Sequence, residues 1–423
     1  MGGPTLVRAA AKSCDAVTVV VDPSDYDDIG AALAADGTTA EQRRALALKA
    51  FLHTSRYDAA ISTWLTQQLT PEPPSDAAPE RLTLELRRSQ VLRYGENPHQ
   101  QAALYHATGE PELGGVYGPM TLLWGKALSY NNVLDLDAAV GLVAEFDAPA
   151  ASVIKHTNPA GCAVVEGADH AEDAILAAYL LARSGDPISA FGGIVALNAP
   201  VHAALATALT ATFLEVVAAP AFTEDALAIL KRKKNLRLVE APGLALDAPP
   251  PATGLRARAL GVGTLVQSAD ASLRAAGGPE LEIVTERAPD DAEIRSMRFL
   301  WRVCKHVRSN AIVIGGPDTP TADWPVEGRG APDGLRTYGV GAGQMSRVDA
   351  VRLAVDKATH PLQGATLASD AFFPFADGLE IAAEAGVTTA IQPGGSRRDA
   401  EVIAAADAAH VAMALTGQRH FRH

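Results

Sequence analysis

The sequence predicts an α/β protein in which a short α/β segment precedes two α/β halves of similar size. Three observations predict it. Strand-like apolar runs alternate with helix-like stretches from about residue 150 to the end; proline-rich seams interrupt the chain at 70–80 and 241–254; and 423 residues can bury more than one core. Such alternation favours largely parallel sheets covered by helices.

The elements follow in order. "LVRAAAK" reads as a helix, "AVTVVV" at 16–21 as a strand, "DPSDYDD" as a turn and "TAEQRRALALKAFLHTSRYDAAISTWL" as a long helix. No strand precedes the Val17–Val21 run to make the sheet it should join, so residues 1–67 read as a truncated piece. "TPEPPSDAAPE" has linker composition, and the linker is placed at 68–84. "ASVIKH" reads as a strand closed by a turn through Asn158, Pro159 and Gly161. The helical "AEDAILAAYLLARSG", then "GGIVAL" and "HAALATALTATFLEVV", continue the rhythm. Beyond the second seam the same rhythm returns in "SNAIVIGG", "RVDAVRLAVDKA", "AEAGVTTAIQPGG" and "DAEVIAAADAAHVAMAL".

Composition narrows the function classes. A formal charge of −13 argues against wholesale nucleic-acid binding, which needs a basic face. No uninterrupted apolar run reaches the roughly 20 residues of a bilayer span. The N-terminus lacks the apolar core of a secretory signal, so a cytoplasmic location is expected. Cys14, Cys162 and Cys304 are too scattered for a disulfide framework or a C-x-x-C zinc site, and no catalytic metal is expected.

Several polar constellations stand out. Lys155–His156 ends an apolar run, the strand-end position where α/β sheets gather ligands. The pair is either a solvated lysine beside a structural histidine or a general base beside a charge-stabilising cation. "GVGAGQMSRVDAVRLA" at 339–354 sets alternate glycines before Ser346 and Asp349, spaced as a capping box; it is a tight turn or an anion-holding loop at a helix N-terminus. "PGGSRRDAEVI" repeats the device with Ser396 as the candidate cap. "SDAFFPFADG" joins Asp370 and Asp377 to three phenylalanines in a chain only 5% aromatic, as a core cluster or a stacking platform. "LRYGENPHQ" packs Arg93, Tyr94, Asn97 and His99 into a turn, where an arginine can clamp a phosphate. The terminal "RHFRH" is a frayed basic tail or a ligand contact.

Taken together and in this order, "LRYGENPHQ", "GKALSYNNVLDLDAA", "KHTNPAG", "SAFGGIVALN", "FLEVVAAPAF", "KKNLRL", "SNAIV", "GVGAGQMSRVDA", "SDAFFPFADG", "PGGSRRD" and "RHFRH" resemble one family over residues 85–423. It is the transformylase half of the bifunctional purine-biosynthesis family, which formylates aminoimidazole carboxamide ribotide (AICAR) and closes the product (FAICAR) to IMP. Residues 1–67 resemble only the C-terminal portion of its methylglyoxal-synthase-like cyclohydrolase domain. Lys12 matches the cyclohydrolase lysine, without the phosphate-binding loops that precede it in the family, so ring closure is not expected of these residues. The resemblance implies that 85–423 form two cytidine-deaminase-like halves with their seam near 241–254.

The resemblance also implies roles. His156 takes a proton from the 5-amino group of AICAR, Lys155 stabilises the oxyanion or protonates the leaving folate nitrogen, and Asn310 orients the formyl oxygen or the carboxamide. Arg93, Tyr94, Gly192, Glu215, Asn310, Arg347 and Arg419 line the ribotide site. Val348, Phe372, Asp377, Ser396 and Arg397 face 10-formyltetrahydrofolate, the co-substrate, and His99 supports. A homodimer with shared sites is implied, and a monovalent cation near "SNAIV" is left open. Ala160 departs from the cysteine of many bacterial relatives, so no essential cysteine is expected there. Two other readings compete with it: a zinc deaminase-like hydrolase, for which the P-C-x-x-C pair is absent, and a nucleotide-binding module without catalysis.

Overall fold

The computed structural model describes residues 3–69, 81–107, 110–251, 254–274 and 278–423. The predicted linker stretch 70–80 lies outside the described residues, as do residues 252 and 253 of the second seam. The chain divides into two compact units, Met1–Glu85 and Leu86–His423.

In the first unit the helix Gly3–Lys12 and the long helix Ala40–Leu69 bury Ala11, Ala47 and Ala50 around Val19. Thr39 and Gln42 exchange backbone and side-chain hydrogen bonds at 2.8 and 3.1 Å and so cap the long helix. The predicted strand at 16–21 is not a strand. The segment is extended but has no hydrogen-bonded neighbour strand among the described residues, and an apolar β-branched run without a partner forms no ladder.

The second unit is built on one continuous sheet of twelve strands. Along it lie Glu282–Ile283, Ala412–Leu415, Val387–Gln392, Ala365–Ser369, Ile312–Asp318, Gly334–Gly341, Asn158–Val164, Ala150–Lys155, Gly193–Leu197, Leu214–Ala219, Arg237–Glu240 and Thr121–Trp124. The prediction of largely parallel sheets is corrected, because only four neighbouring pairs are parallel. Each half contains one pair of consecutive antiparallel strands, Ala150–Lys155 with Asn158–Val164 and Ile312–Asp318 with Gly334–Gly341, which reverses the chain within the sheet. The halves join where Leu335 and Arg336 pair antiparallel with Val164 and Ala163.

The sheet holds an internal duplication that the sequence does not display. Strand, helix, strand, strand, helix, strand, helix, strand, helix, strand runs from Thr121–Trp124 to Arg237–Glu240, with one short extra helix, Pro187–Ala190, before Gly193–Leu197. The same order runs from Glu282–Ile283 to Ala412–Leu415. "HAALATALTATFLEVV" splits into the helix Ala203–Leu209 and the strand Leu214–Ala219, whose β-branched Val216 and Val217 are fully buried.

Helices cover both faces of the sheet. Helix Ala171–Ser184 buries ten consecutive residues from Asp173 to Ala182, and its Ile175, Leu176 and Leu181 each add on the order of 1.5–3 kcal/mol. Gly161 lets it approach, since a Cβ there would lie 1.9 Å from the Ala182 carbonyl oxygen. Outside the main sheet, Leu86–Leu92 pairs with Ala102–Ala107, and "RYGENPHQ" connects them.

Candidate active site

The sheet direction sets the site. Because the halves join antiparallel through corresponding strands, one edge collects the amino ends of the first half's parallel strands and the carboxyl ends of the second half's. Lys155, Gly192 and Glu215 lie on that edge from the first half. Asn310, Arg347, Phe372, Ser396 and Arg419 lie on it from the second, in segments that enter or leave strand ends there.

The turn after Lys155 is shorter than predicted. His156 and Thr157 alone make it, at φ 52° and 62°, and Asn158–Val164 is already the return strand, with Pro159 opposite Ile154 beside a bulge. Two-residue hairpins with both central residues left-handed usually carry Asn-Gly. Here they carry His-Thr, and the left-handed conformation costs about 1–2 kcal/mol per residue, with a β-branched threonine among the least tolerant. Contacts hold the strained turn in place. The Thr157 N–H donates to Asp135 Oδ1 at 2.7 Å, and the Asn158 side-chain amide donates to the His156 carbonyl oxygen at 3.2 Å. Burial raises the Asp135 carboxyl pKa, against the opposing pull of the Thr157 N–H and the His156 ring. His156 itself is exposed.

Lys155 is anchored differently. Its Nζ donates to the carbonyl oxygens of Phe191 and Gly192, both at 3.1 Å. Gly192 has φ 69°, and a Cβ there would sit 3.0 Å from that Nζ, so glycine is what leaves room for the lysine. Glu215 accepts from Asn132 Nδ2 at 2.7 Å, with Arg237 3.8 Å away. A cavity of about 230 Å³ opens beside the turn, lined by Lys155, His156, Asn158, Asp186, Val340 and Lys357 among others, and so spans both halves.

The second half supplies a fixed charge network. Arg347 is 7% exposed and Asp370 fully buried; Arg347 Nη1 meets Asp370 Oδ1 at 2.7 Å and Ser369 Oγ at 2.8 Å, and its Nη2 donates to Asn310 Oδ1 at 2.8 Å. Asn310 Nδ2 donates in turn to the carbonyl oxygens of Gln344 and Met345. The two halves touch at the site, since the Arg308 N–H donates to Asn158 Oδ1 at 2.9 Å. That bond ties the segment entering Asn310 to the strand leaving His156.

The terminal "RHFRH" is not frayed. The Ser309 N–H donates to the Arg422 carbonyl oxygen at 3.0 Å, the Arg422 N–H to Ser309 Oγ at 3.0 Å, and the His420 N–H to the Asp370 carbonyl oxygen at 3.1 Å. His420 is buried and pairs through Nδ1 with Asp270 at 2.7 Å, while Arg419 stays exposed with its guanidinium 4.7 Å from the Phe421 ring centre.

Other predicted positions scatter around this centre. Phe372 is half-buried, whereas Phe373 belongs to the core and Phe375 is exposed, with the Arg398 guanidinium 4.7 Å from its ring centre. Asp377 opens the helix Asp377–Glu384, exposed. Ser346 holds the N-cap position without a side-chain bond. Ser396 lies in the turn before helix Asp399–Ala408, whose N-cap is Arg398. The Ser396 Oγ accepts the Arg398 N–H at 3.1 Å while Asp399 accepts the N–H groups of Gly395 and Ser396 at 2.7 and 3.1 Å, so the reciprocal bonds form one turn ahead of the helix. Val348 is half-buried in the first turn of helix Arg347–Asp356, and Arg397 is exposed. Arg93 lies 5.8 Å from the Tyr94 ring centre, in the loop with exposed His99, whose neighbour Glu96 accepts from Asn131 through its carbonyl oxygen. Lys12 belongs to the first unit, as the exposed last residue of helix Gly3–Lys12.

Cys162 and Cys304 are fully buried, and burial pushes both thiols up, which removes them as nucleophiles. Among the described residues no three His, Cys, Asp or Glu side chains cluster to hold a metal. Sequence reasoning missed Asn132, Asp135 and Arg308, and gave Asp370 no role beyond its place in "SDAFFPFADG", although it is a buried counter-ion to Arg347. Asn132 and Asp135 had a readable signal, since three residues apart near a helix start they share one face.

These features define a duplicated mixed α/β protein with its polar and cationic groups gathered on one edge of a shared sheet. A family model described as AICARFT/IMPCHase bienzyme matches residues 10–357. The proteins of Sorangium cellulosum and Myxococcus xanthus named bifunctional purine biosynthesis protein PurH are each 48% identical over the whole of this chain, which covers 77% and 76% of them. The chain belongs to the AICARFT/IMPCHase bienzyme family.

Proposed function

We infer that this chain is the phosphoribosylaminoimidazolecarboxamide formyltransferase of purine (IMP) biosynthesis. It transfers the formyl group of 10-formyltetrahydrofolate to the 5-amino group of AICAR, giving FAICAR and tetrahydrofolate. Family membership supplies the reaction, and the observation that carries the site is the bond from Arg308 N–H to Asn158 Oδ1, which joins the His156 turn to the Asn310–Arg347–Asp370 network.

In this reading the amine attacks the formyl carbon while His156 accepts its proton, a role that supplies roughly 10²–10⁴-fold. Lys155, on its two carbonyl anchors, offers a fixed positive charge to the tetrahedral oxyanion, and Asn310 orients the formyl oxygen or the carboxamide. The C–N10 bond then breaks, and a proton returns to the folate nitrogen. Arg93, Tyr94, Gly192, Glu215, Arg347 and Arg419 hold the ribotide. Phe372 stacks on the folate ring, with Asp377, Ser396, Arg397 and Val348 around it and His99 in support.

The folate-side strand Ala365–Ser369 lies four strands from Ala150–Lys155, roughly 19 Å along the edge at about 4.8 Å per strand. That separation favours a homodimer in which each site is completed by two copies. The exposed hairpin Leu255–Leu260 and Gly263–Ser268, with Leu255, Val262 and Leu265 outward, is the apolar surface for it. No helix among the described residues is long and apolar enough to cross a membrane, and we place the enzyme in the cytoplasm.

The test is formyl transfer by the purified chain, followed by AICAR-dependent release of tetrahydrofolate. Transfer at an undiminished rate by His156→Ala would remove the base assignment. IMP formation from FAICAR is assayed separately; the resemblance assigns only Lys12 to it in the first unit, and ring closure that survives Lys12→Ala would cancel that assignment.

A further inference from the structure

We propose that Asp135 is a positioning residue for formyl transfer, holding His156 in its working orientation by clamping the backbone of the His156–Thr157 turn. The inference rests on the reading of His156 as the proton acceptor.

Both residues of the turn are left-handed, at φ 52° and 62°, and neither is the glycine or asparagine that adopts this region readily. A turn of this sequence does not choose that geometry by itself, so something in the surrounding structure must impose it. Besides Asp135, Arg308 approaches Thr157 Oγ1, but only at 3.4 Å through Nε and Nη2. Asp135 Oδ1 accepts the Thr157 N–H at 2.7 Å, the shortest bond made to the turn.

Asp135 sits on a rigid support. Helix Tyr130–Val143 begins in a full capping box between Ser129 and Asn132, and its Leu136, Ala139 and Leu142 are buried in the core. Asn132, one turn before Asp135, grips Glu215 with its side chain. A single helix end therefore fixes two separate parts of the sheet edge, the His156 turn and Glu215, from positions three residues apart. Without the carboxylate, the turn relaxes towards ordinary φ values and the imidazole swings with it. Misplacement of a reacting group by about 1 Å can cost on the order of a hundredfold in rate.

The experiment compares two substitutions of similar shape in the full chain. Asp135→Leu, which has no acceptor, is expected to lower kcat roughly tenfold to a hundredfold with the KM for AICAR within about twofold. Asp135→Asn, which keeps an acceptor oxygen for the Thr157 N–H, is expected to stay within about threefold of the parent. Adding Thr157→Gly to Asp135→Leu is expected to restore most of the lost kcat, because glycine adopts the left-handed conformation without a clamp. A rate unaffected by Asp135→Leu, or a loss that Thr157→Gly does not recover, overturns the proposal. Hydrogen exchange at the Thr157 amide in Asp135→Ala gives a reading that needs no activity: faster exchange is expected, and unchanged exchange overturns the clamp. His156→Ala assayed alongside separates the two claims, since full activity there removes the base assignment and leaves the exchange result to judge Asp135.

Discussion

The two halves of the large unit repeat one order of elements, yet they present opposite ends to the same edge. In the second half, Arg347, Asp370 and the residues after Gln392 follow the carboxyl ends of strands, where open α/β sheets usually gather ligands. In the first half, Gly192 and Glu215 sit at amino ends, and the hairpin turn itself, His156–Thr157, projects onto the edge. The corresponding connection of the second half, 319–333, therefore lies at the far edge. One topology thus supplies two kinds of chemistry. The first half offers a titratable group on a left-handed two-residue turn, and the second a buried, charge-paired network.

If that division is correct, the first half should respond in rate and the second in stability. His156→Ala is expected to lower kcat for formyl transfer by roughly 10²–10⁴ with little change in unfolding midpoint, read by steady-state kinetics beside urea titration. Asp370→Asn should act first on stability. It leaves Arg347 buried without its counter-ion, a change on the order of 3–5 kcal/mol visible in the urea midpoint; an unshifted midpoint would show that the network is not what holds the second half.

Gly192→Ala sharpens the contrast within the first half. Its left-handed φ and the Lys155 Nζ 3.0 Å from the new Cβ predict a loss of about 1–2 kcal/mol and a displaced lysine, seen as a reduced kcat with an intact fold.

The smallest effect concerns Glu145, which ties the two halves behind the site by pairing with Lys305 at 2.7 Å and His306 at 3.1 Å. Burial alone would raise the Glu145 carboxyl; His306 and Lys305 more than offset it and hold it well below the ordinary carboxylate range. Burial also lowers the His306 pKa, partly opposed by Glu145. Both shifts have the same sign for stability. The unfolded chain takes up the His306 proton first, as pH falls through about 6.5, and then the Glu145 proton below about 4.3, so stability should fall stepwise on acidification. Glu145→Gln should flatten the lower step in a pH series of thermal midpoints.

Much of this was legible in the residues. Alternating apolar runs and helical stretches announce α/β architecture, because burial on both faces of a sheet demands them. The Lys155–His156 pair and "RHFRH" stood out by chemistry, and the ordered motifs identified the family. That Asn132 and Asp135 share one helix face could be read from their spacing, but their partners, Glu215 and the Thr157 N–H, were hidden until the strands were placed. Phe372, Phe373 and Phe375 show the same limit: neighbours of one type, one half-buried, one in the core and one exposed beside an arginine.

Local sequence by itself determined the alternation of strands and helices in the large unit and the identity of the titratable groups, since periodicity and side-chain chemistry are properties of short stretches; it did not decide the 16–21 run, which has no partner strand among the described residues. Tertiary structure alone decided which edge became the site. That choice follows from the antiparallel pairing of Leu335–Arg336 with Ala163–Val164, a contact between residues more than 170 positions apart. It sets carboxyl ends against amino ends along one line, and it brings Arg308 to Asn158, so that a histidine from one repeat and an asparagine–arginine pair from the other meet at the same edge.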